Sequence, residues 1–228
     1  QTIEKYNLVA VPVVDSIGRL VGRITVDDVM DEVREQAERD YQLASGLSQD
    51  VETDDSVLRQ TSARLPWLLI GMLGGIGNSM ILGNFDTTFA AHPEMALYIP
   101  LIGGTGGNVG TQSSALVVQG LANSSLDANN TWKQILKESI VALINATIIS
   151  MLVYVYNFIR FGATATVSYS VSLSLFAVVM FASIFGTLVP MTLEKLKIDP
   201  AIATGPFISI TNDIIGMMLY MGITVLLS

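Results

Sequence analysis

The sequence predicts an all-α polytopic membrane domain with five transmembrane helices per protomer, preceded by a partial α/β segment and a connecting helix. Of the 228 residues, 50% are hydrophobic and 14% are charged. The mean hydropathy is +0.53, which is too apolar for an ordinary soluble domain. The charges are unevenly divided, because residues 1–66 hold 13 acidic and 7 basic residues whereas residues 67–228 hold 7 and 5. The chain therefore divides into a small acidic part and a large apolar part.

Five apolar stretches follow residue 66. They are residues 67–91, 94–121, 134–158, 167–193 and 201–227. Each has about 20–28 residues, enough for a helix across a hydrocarbon core of about 30 Å. Six Lys and Arg residues flank the ends on the N-terminal side, and only Arg160 flanks the other side. The positive-inside rule then places the N-terminus in the cytoplasm and the C-terminus outside, in the cell membrane.

The first 31 residues follow a different pattern. The segment "LVAVPVVDSIGRLVGRITVDDVMDEV" predicts strands at 8–14 and 20–25, a turn of Asp, Ser and Gly between them, and a helix from near Asp27. Thr25 is placed to cap this helix, with Asp28 three residues further on in the first turn. Two strands and a helix of about 30 residues cannot bury a core alone. We therefore expect this segment to be part of a larger unit or to pack on a partner.

The predicted domains are residues 1–31, a cytoplasmic α/β fragment, residues 32–66, an acidic connecting helix and linker, and residues 67–228, the membrane domain. The chain begins with Gln1 and shows no signal-peptide pattern, so we expect a fragment of a longer protein. The net charge of −8 argues against nucleic acid as a partner. The lack of Cys excludes disulfides and thiolate metal sites.

Asp213 is a lone carboxylate in the most apolar part of the chain. An acid at the centre of a membrane helix costs about 2.5–3.5 kcal/mol on insertion scales. If the fifth helix enters near Thr204, Asp213 lies roughly 14 Å along it, and Ser209, Gly216 and Tyr220 share its face. No Lys, Arg or His lies in a span interior to pair with it. Either the acid is neutralised inside the bundle, or it faces a water-lined cation path, which we favour.

The stretch "PLIGGTGGNVGTQSS", residues 100–114, combines five glycines with polar side chains at predicted membrane depth. Small residues four apart let two helices approach closely, and the polar groups must be satisfied by protein or water. The stretch predicts tight helix packing or a polar pore wall, and the two overlap. The acidic runs at 27–40 and 49–55 are most simply solvated faces, but two such runs next to a membrane domain also favour cation sensing.

Three stretches resemble the MgtE family of magnesium channels and transporters. "VPVVDSIGRLVGRITVDDVMDEV" is similar to the last part of a CBS (cystathionine-β-synthase-type) domain, "YIPLIGGTGGNVGTQSSALVVQGLA" to the family's second membrane helix, and "IDPAIATGPFISITNDIIGMMLYM" to its fifth. The resemblance implies a homodimer in the lipid bilayer, with a Mg²⁺ pore on the two-fold axis and one Asp213 per protomer as the ion site. The expected pore-lining residues are Asn108, Gly205, Pro206, Ser209 and Gly216.

The resemblance also implies a cytoplasmic Mg²⁺ sensor that holds the pore shut, so that Mg²⁺ is both substrate and regulator. Asp28, Asp31 and Asp40 match acidic positions of that sensor, whereas Gln36 and Arg39 stand where the family has acids. The family implies ATP on complete CBS domains, and we do not expect this fragment to hold a full ATP site.

We keep two alternatives to a Mg²⁺ channel. One is an ion-coupled exchanger of Mg²⁺ or another divalent cation, in which Asp213 binds a proton or Na⁺. The other is an intramembrane enzyme, for which two carboxylates in one protomer are needed. Only Asp213 is expected deep in a span, so we predict that the protein is not an enzyme. A purely structural membrane anchor would leave the unpaired Asp213 unexplained.

Overall fold

The computed structural model describes residues 2–123, 125–126, 131–162 and 166–227. The chain forms two compact units, Gln1–Gln42 and Leu43–Ser228. The elements of the first unit are α1 (Thr2–Tyr6), β1 (Ala10–Val14), β2 (Leu20–Thr25) and most of α2 (Val26–Ala44). The predicted hairpin and the helix after it are therefore confirmed.

The hairpin turn is held by the Asp15 side chain. Its carboxylate accepts from the backbone N–H groups of Ile17 at 3.0 Å and Arg19 at 2.8 Å, and Gly18 adopts a positive φ of 82°. The two strands pair antiparallel, with Val11 opposite Ile24. Both strands remain largely exposed and α2 has no buried residue, so this unit has little core of its own.

The second unit is helical. Its elements are α3 (Val57–Gly83), α4 (Asp86–Ala91), a 3-10 helix (Pro93–Tyr98), α5 (Ile99–Ala122), α6 (Thr131–Phe161), α7 (Thr166–Lys195), a second 3-10 helix (Pro200–Ala203) and α8 (Pro206–Leu227). Within the described ranges, four of these helices are long and apolar enough to cross a membrane, namely α3, α6, α7 and α8. The predicted stretch 94–121 becomes α5, which is a helix of 24 residues but is not one of those four, because glycines and polar side chains lower its hydropathy.

The core of the second unit lies around α7. Val171, Leu175 and Val178 on α7 are fully buried together with Ile102 of α5 and Tyr220 of α8. By contrast, α3 and α6 present broad apolar surfaces to the outside. Such surfaces are typical of helices that face lipid.

Two hydrogen bonds fix the end of the bundle near Tyr98. The Tyr98 hydroxyl donates to the Asn157 side-chain oxygen at 2.5 Å, and the Tyr220 hydroxyl donates to the Met95 carbonyl at 2.7 Å. These bonds join three elements, the 3-10 helix Pro93–Tyr98, α6 and α8, and give each buried hydroxyl the partner that it requires.

Candidate functional site

Asp213 lies on α8, seven residues after the helix begins at Pro206. Its carboxylate is half-buried and makes no hydrogen bond or ion pair with any residue that the structure describes. One carboxylate oxygen lies 3.4 Å and 3.5 Å from the positions that a Cβ would occupy on Gly103 and Gly107 of α5. Asp213 therefore packs against the backbone of α5. Gly103 and Gly107 have no side chains that could cover its carboxylate oxygens.

Ser209 lies one turn before Asp213 and faces the same wall. Its hydroxyl oxygen is 2.8 Å from where a Cβ of Gly107 would be, so no larger residue fits at Gly107 without displacing it. Two polar side chains of α8 are thus held beside one glycine-rich face of α5. Asn108, next in sequence to Gly107, is exposed on α5.

Gly216 and Tyr220 continue the same face of α8 deeper into the bundle. Gly216 is buried, and a Cβ there would lie 3.4 Å from Val178 of α7. Tyr220 is fully buried. The predicted pore-lining set is therefore split within the protomer: Ser209 and Asp213 are partly accessible, whereas Gly216 is enclosed between helices.

The start of α8 is shaped by Gly205 and Pro206. Gly205 has a positive φ of 51°, and a Cβ there would collide with the Ala44 carbonyl oxygen. The Gly205 carbonyl accepts from the Ser209 N–H at 3.0 Å, and Pro206 occupies the first helical position, where its missing N–H costs nothing. Gly46, with φ of 83°, packs on Pro206 so closely that its Cβ would lie 2.6 Å from the ring.

A cleft of about 640 Å³ opens beside this helix start. It lies between the segment 45–47, α3 and α8, and Arg64, Trp67 and Ser209 are among the lining residues. The cleft leaves open space beside the first turn of α8.

The three acids expected to sense Mg²⁺ all lie on α2. Asp28 belongs to a capping box, because its carboxylate accepts from the Thr25 backbone N–H at 2.7 Å and hydroxyl at 2.6 Å. The hydrogen bond from the Thr25 hydroxyl, and to a lesser degree that from the Thr25 backbone N–H, holds the pKa of Asp28 below its ordinary value. Asp40 accepts from the Gln36 side chain at 2.7 Å. Across the described ranges, no group of three or more acidic or His side chains is placed to hold a metal ion.

Sequence patterns did not reveal Glu138, a second buried carboxylate. It lies on α6 with 9% of its surface exposed, and it accepts from Ser113 of α5 at 2.7 Å and bonds to Ser183 of α7. Glu138 is therefore a buried acid besides the half-buried Asp213, and the sequence analysis did not predict its burial. Glu138 follows Lys137 near the start of a predicted span, where an acid would normally reach the surface, so only the tertiary contacts show that it is buried.

Asn212, beside Asp213 in sequence, is another polar residue that the patterns did not reveal. It is 1% exposed, and neither its amide nitrogen nor its oxygen has a partner among the described residues. Its amide lies against Gly110 so closely that a Cβ on that glycine would collide with it. Buried amides without partners are uncommon, because an unpaired buried polar group costs free energy. A bound water molecule beside the Asn212 side chain would remove that cost.

Comparison with known proteins identifies relatives over nearly the whole chain. A model of the MgtE family, described as divalent cation transporter, matches residues 99–223. Magnesium transporter MgtE of Bacillus subtilis is 34% identical over 97% of this chain, and that of Thermus thermophilus is 33% identical over 97%. The Enterococcus faecalis protein of the same name is 31% identical over 98%. Each match covers 49% of the relative, so the chain spans about half the length of these curated proteins, which are named as transporters and not as enzymes.

Proposed function

Since the chain belongs to the MgtE family of divalent cation transporters, we propose that it forms a Mg²⁺-selective pathway for magnesium uptake, with Asp213 as the ion site. The observation that carries this proposal is the half-buried Asp213 carboxylate, which has no counter-ion among the residues that the structure describes and which lies against Gly103 and Gly107 of α5. An unpaired acid at membrane depth requires water or a cation as its partner.

The chemistry of Mg²⁺ favours such a site. The ion takes six oxygens at about 2.0–2.1 Å and gives up its water reluctantly. On the axis of a homodimer, two Asp213 carboxylates would hold a largely hydrated ion through its waters, and so select by hydrated size and charge. The Ser209 hydroxyl, the Asn108 amide and the backbone oxygens at Gly205 and Pro206 would supply further hydrogen-bond acceptors for these waters.

Under the same proposal α5 also crosses the membrane, which adds a fifth span to α3, α6, α7 and α8. Its exposed face carries Gly104, Asn108 and Gln112, which are poor residues for contact with lipid. On a dimer axis this face would line water and the opposite protomer, and the helix would not need the hydropathy of a lipid-facing span. The N-terminus would then be cytoplasmic and the C-terminus outside.

We also propose that cytoplasmic Mg²⁺ closes the pathway by binding acids that include Asp28, Asp31 and Asp40. Acids on neighbouring elements repel at low Mg²⁺, and bridging ions favour a closed arrangement. Because Asp28 already accepts two bonds from Thr25, Asp31 and Asp40 are the better ligands of the three. ATP would need complete CBS domains.

An ion-coupled exchanger is the second candidate, and Glu138 favours it. A buried acid in addition to Asp213 gives the membrane domain a second group that can take up a proton. Mg²⁺ flux that requires a proton or Na⁺ gradient would identify an exchanger, whereas flux down the Mg²⁺ gradient alone would identify a channel.

The decisive experiment compares Mg²⁺ flux into liposomes for the chain, Asp213→Ala and Asp213→Asn. Both variants should reduce flux by about tenfold or more, because they remove the charge of the proposed ion site. A tenfold change corresponds to about 1.4 kcal/mol. Asp86→Asn, which neutralises an exposed acid on α4, is the matched control and should transport normally. Undiminished flux through folded Asp213→Ala and Asp213→Asn proteins would move the ion site elsewhere.

A further inference from the structure

We propose that the cleft between α3, α8 and residues 45–47 binds a phospholipid, with the lipid phosphate at the Arg64 guanidinium and an acyl chain against Trp67 and Ile210. All of the lining residues belong to the second compact unit. The ligand is a molecule of the surrounding bilayer and not the transported ion, so this site goes beyond the proposed ion pathway.

The cleft is large enough for part of a lipid molecule. Its volume is 640 Å³, within the range of about 300–1,000 Å³ that is typical of small-molecule sites. Gly71 of α3 lines the cleft without a side chain, and a Cβ there would lie 3.7 Å from Ile210 of α8. The missing side chain therefore leaves a furrow between two apolar helices.

The lining of the cleft combines apolar surface with one cation. Trp67, Leu68, Pro206 and Ile210 supply hydrocarbon surface, whereas Arg64 is the one charged side chain among the described residues that line it. Apolar surface alone suits any hydrocarbon chain, but a cation at its edge adds a preference for an anion. Basic pockets between membrane helices bind lipid head groups for this reason.

Arg64 has no carboxylate partner among the residues that the structure describes. Its guanidinium donates to the neutral Gln60 side chain at 3.3 Å. Arg59, earlier on the same helix, is by contrast paired with Asp55 at 2.7 Å. Arg64 therefore keeps donors for a further acceptor, and a guanidinium matches phosphate oxygens with two parallel hydrogen bonds.

The position of Arg64 along α3 matches the level of the lipid phosphates. The helix ends at Gly83, and the stretch from Arg64 to Gly83 has about 20 residues, the length that crosses a hydrocarbon core of about 30 Å. Trp67 lies one turn further in, and tryptophan is enriched at the boundary between hydrocarbon and head groups. The cleft therefore begins at head-group level and continues toward the acyl chains.

Hydrated Mg²⁺ is the alternative occupant, because Ser209 also lines the cleft and belongs to the proposed ion pathway. The charge of the lining argues against this ion. Arg64 repels a cation and attracts an anion. Mg²⁺ is bound through carboxylates and other oxygens, and none of the described lining residues is acidic. A lipid phosphate therefore fits this cleft better than the transported ion.

Quenching of tryptophan fluorescence by a brominated lipid tests the site, because the chain has two Trp residues and one of them, Trp67, lines the cleft. Trp132→Phe leaves Trp67 as the single fluorophore. The probe is phosphatidylglycerol with brominated acyl chains, titrated into the full chain in neutral detergent. We expect quenching of Trp67 that saturates once each chain holds a lipid.

Trp67→Phe is the control, because it leaves Trp132, which is 77% exposed on α6. Quenching of Trp132 should rise only in proportion to the total lipid. Non-saturating curves of equal slope for the two tryptophans would overturn the proposal. These measurements need no transport, so their failure is distinct from failure of the Mg²⁺ proposal.

The phosphate contact is tested by Arg64→Gln in the Trp132→Phe chain. It should weaken the apparent affinity for phosphatidylglycerol by about tenfold, since a charge-assisted hydrogen bond is lost. Lys133→Gln, which removes a cation from the first turn of α6, is the control and should not change the affinity. Unchanged affinity in Arg64→Gln, or equal quenching by brominated diacylglycerol, which has no phosphate, would overturn this contact. Displacement of the lipid by inorganic phosphate would identify free phosphate as the ligand and overturn the lipid assignment.

Gly71→Leu tests the furrow, because it adds a side chain beside Ile210 and fills the space for the acyl chain. It should abolish saturable quenching of Trp67. Gly75→Leu, one turn later on α3, is the matched control, since nothing lies within 4 Å of its Cβ position, and it should bind lipid normally. Saturable binding that persists in Gly71→Leu would overturn the placement of the acyl chain. If Gly71→Leu does not fold, Arg64→Gln still decides the proposal.

Discussion

At the scale of single residues, the bare backbone of glycine decides how closely the helices approach. A Cβ on Gly186 of α7 would collide with the Gly110 carbonyl of α5, and a Cβ on Gly110 would collide with the Asn212 side chain of α8. These two glycines therefore set the separation of three helices. The obstacle at Gly186 is backbone, which cannot rotate away as a side chain can.

Gly186→Ala should destabilise the membrane domain by about 1–3 kcal/mol, the usual cost of overpacking a closely packed interior. Gly75→Ala on α3 is the matched control, because nothing lies within 4 Å of its Cβ position. It should be neutral or stabilise by up to about 1 kcal/mol, since Ala favours a helix over Gly. Thermal unfolding in detergent measures both. Equal melting temperatures for the two variants would contradict the role of Gly186.

Single residues also show what the sequence could predict of the site. Asp213 stands out because it is an acid surrounded by apolar residues, and this signal is local. Glu138 and Asn212 give no such signal, because Lys137 precedes the first and Asp213 follows the second. Their burial depends on Ser113, Ser183 and Gly110, which are distant in sequence, and no local pattern specifies these contacts.

At the scale of elements, α2 begins with a capping box whose hydrogen bonds depend on pH. Thr25 donates its hydroxyl and its N–H to Asp28 and holds the pKa of that carboxyl below its ordinary value. The bonds therefore stabilise the helix start fully above the ordinary pKa of Asp28. They are lost as the pH falls through the lowered value.

Asp28→Ala should speed hydrogen exchange at the Thr25 amide severalfold, because it removes the carboxylate that accepts from this N–H group. Asp31→Ala, three residues further along the same helix, is the control and should leave this amide unchanged. The same two variants also separate capping from Mg²⁺ sensing. If Asp31 is a Mg²⁺ ligand, only Asp31→Ala should weaken inhibition by Mg²⁺ without changing the helix start. Unchanged exchange at Thr25 in Asp28→Ala would contradict the capping role.

The hairpin and α5 show how far elements follow from sequence. The turn residues Asp15 and Gly18 and the cap at Thr25 each act within four residues, so the local pattern was sufficient to predict strands and helix. A long helix at α5 was likewise predictable, although the predicted stretch 94–121 includes residues of the 3-10 helix Pro93–Tyr98. The sequence did not determine whether α5 spans the membrane. Its glycines and polar residues lower its hydropathy but also allow close packing, so a spanning position depends on what surrounds the helix.

At the scale of the whole molecule, the proposed homodimer accounts for the exposed polar face of α5. Asn108→Cys should form cross-linked dimers with a short thiol-reactive reagent, because this face would approach the partner on the two-fold axis. The natural chain has no Cys, so each variant carries a single thiol. Ile148→Cys, on the exposed apolar face of α6, is the control and should remain monomeric on a denaturing gel. Cross-linking through Ile148 alone would place the dimer interface on α6.

The contact between Ala44 and Gly205 has a mechanical consequence. A Cβ on Gly205 would collide with the Ala44 carbonyl oxygen, so no side chain separates the two backbones. A displacement of Ala44 toward Gly205 would therefore press on the backbone just before α8 begins. Any shift of the helix start that results would carry Ser209 and Asp213 with it, because both lie on α8.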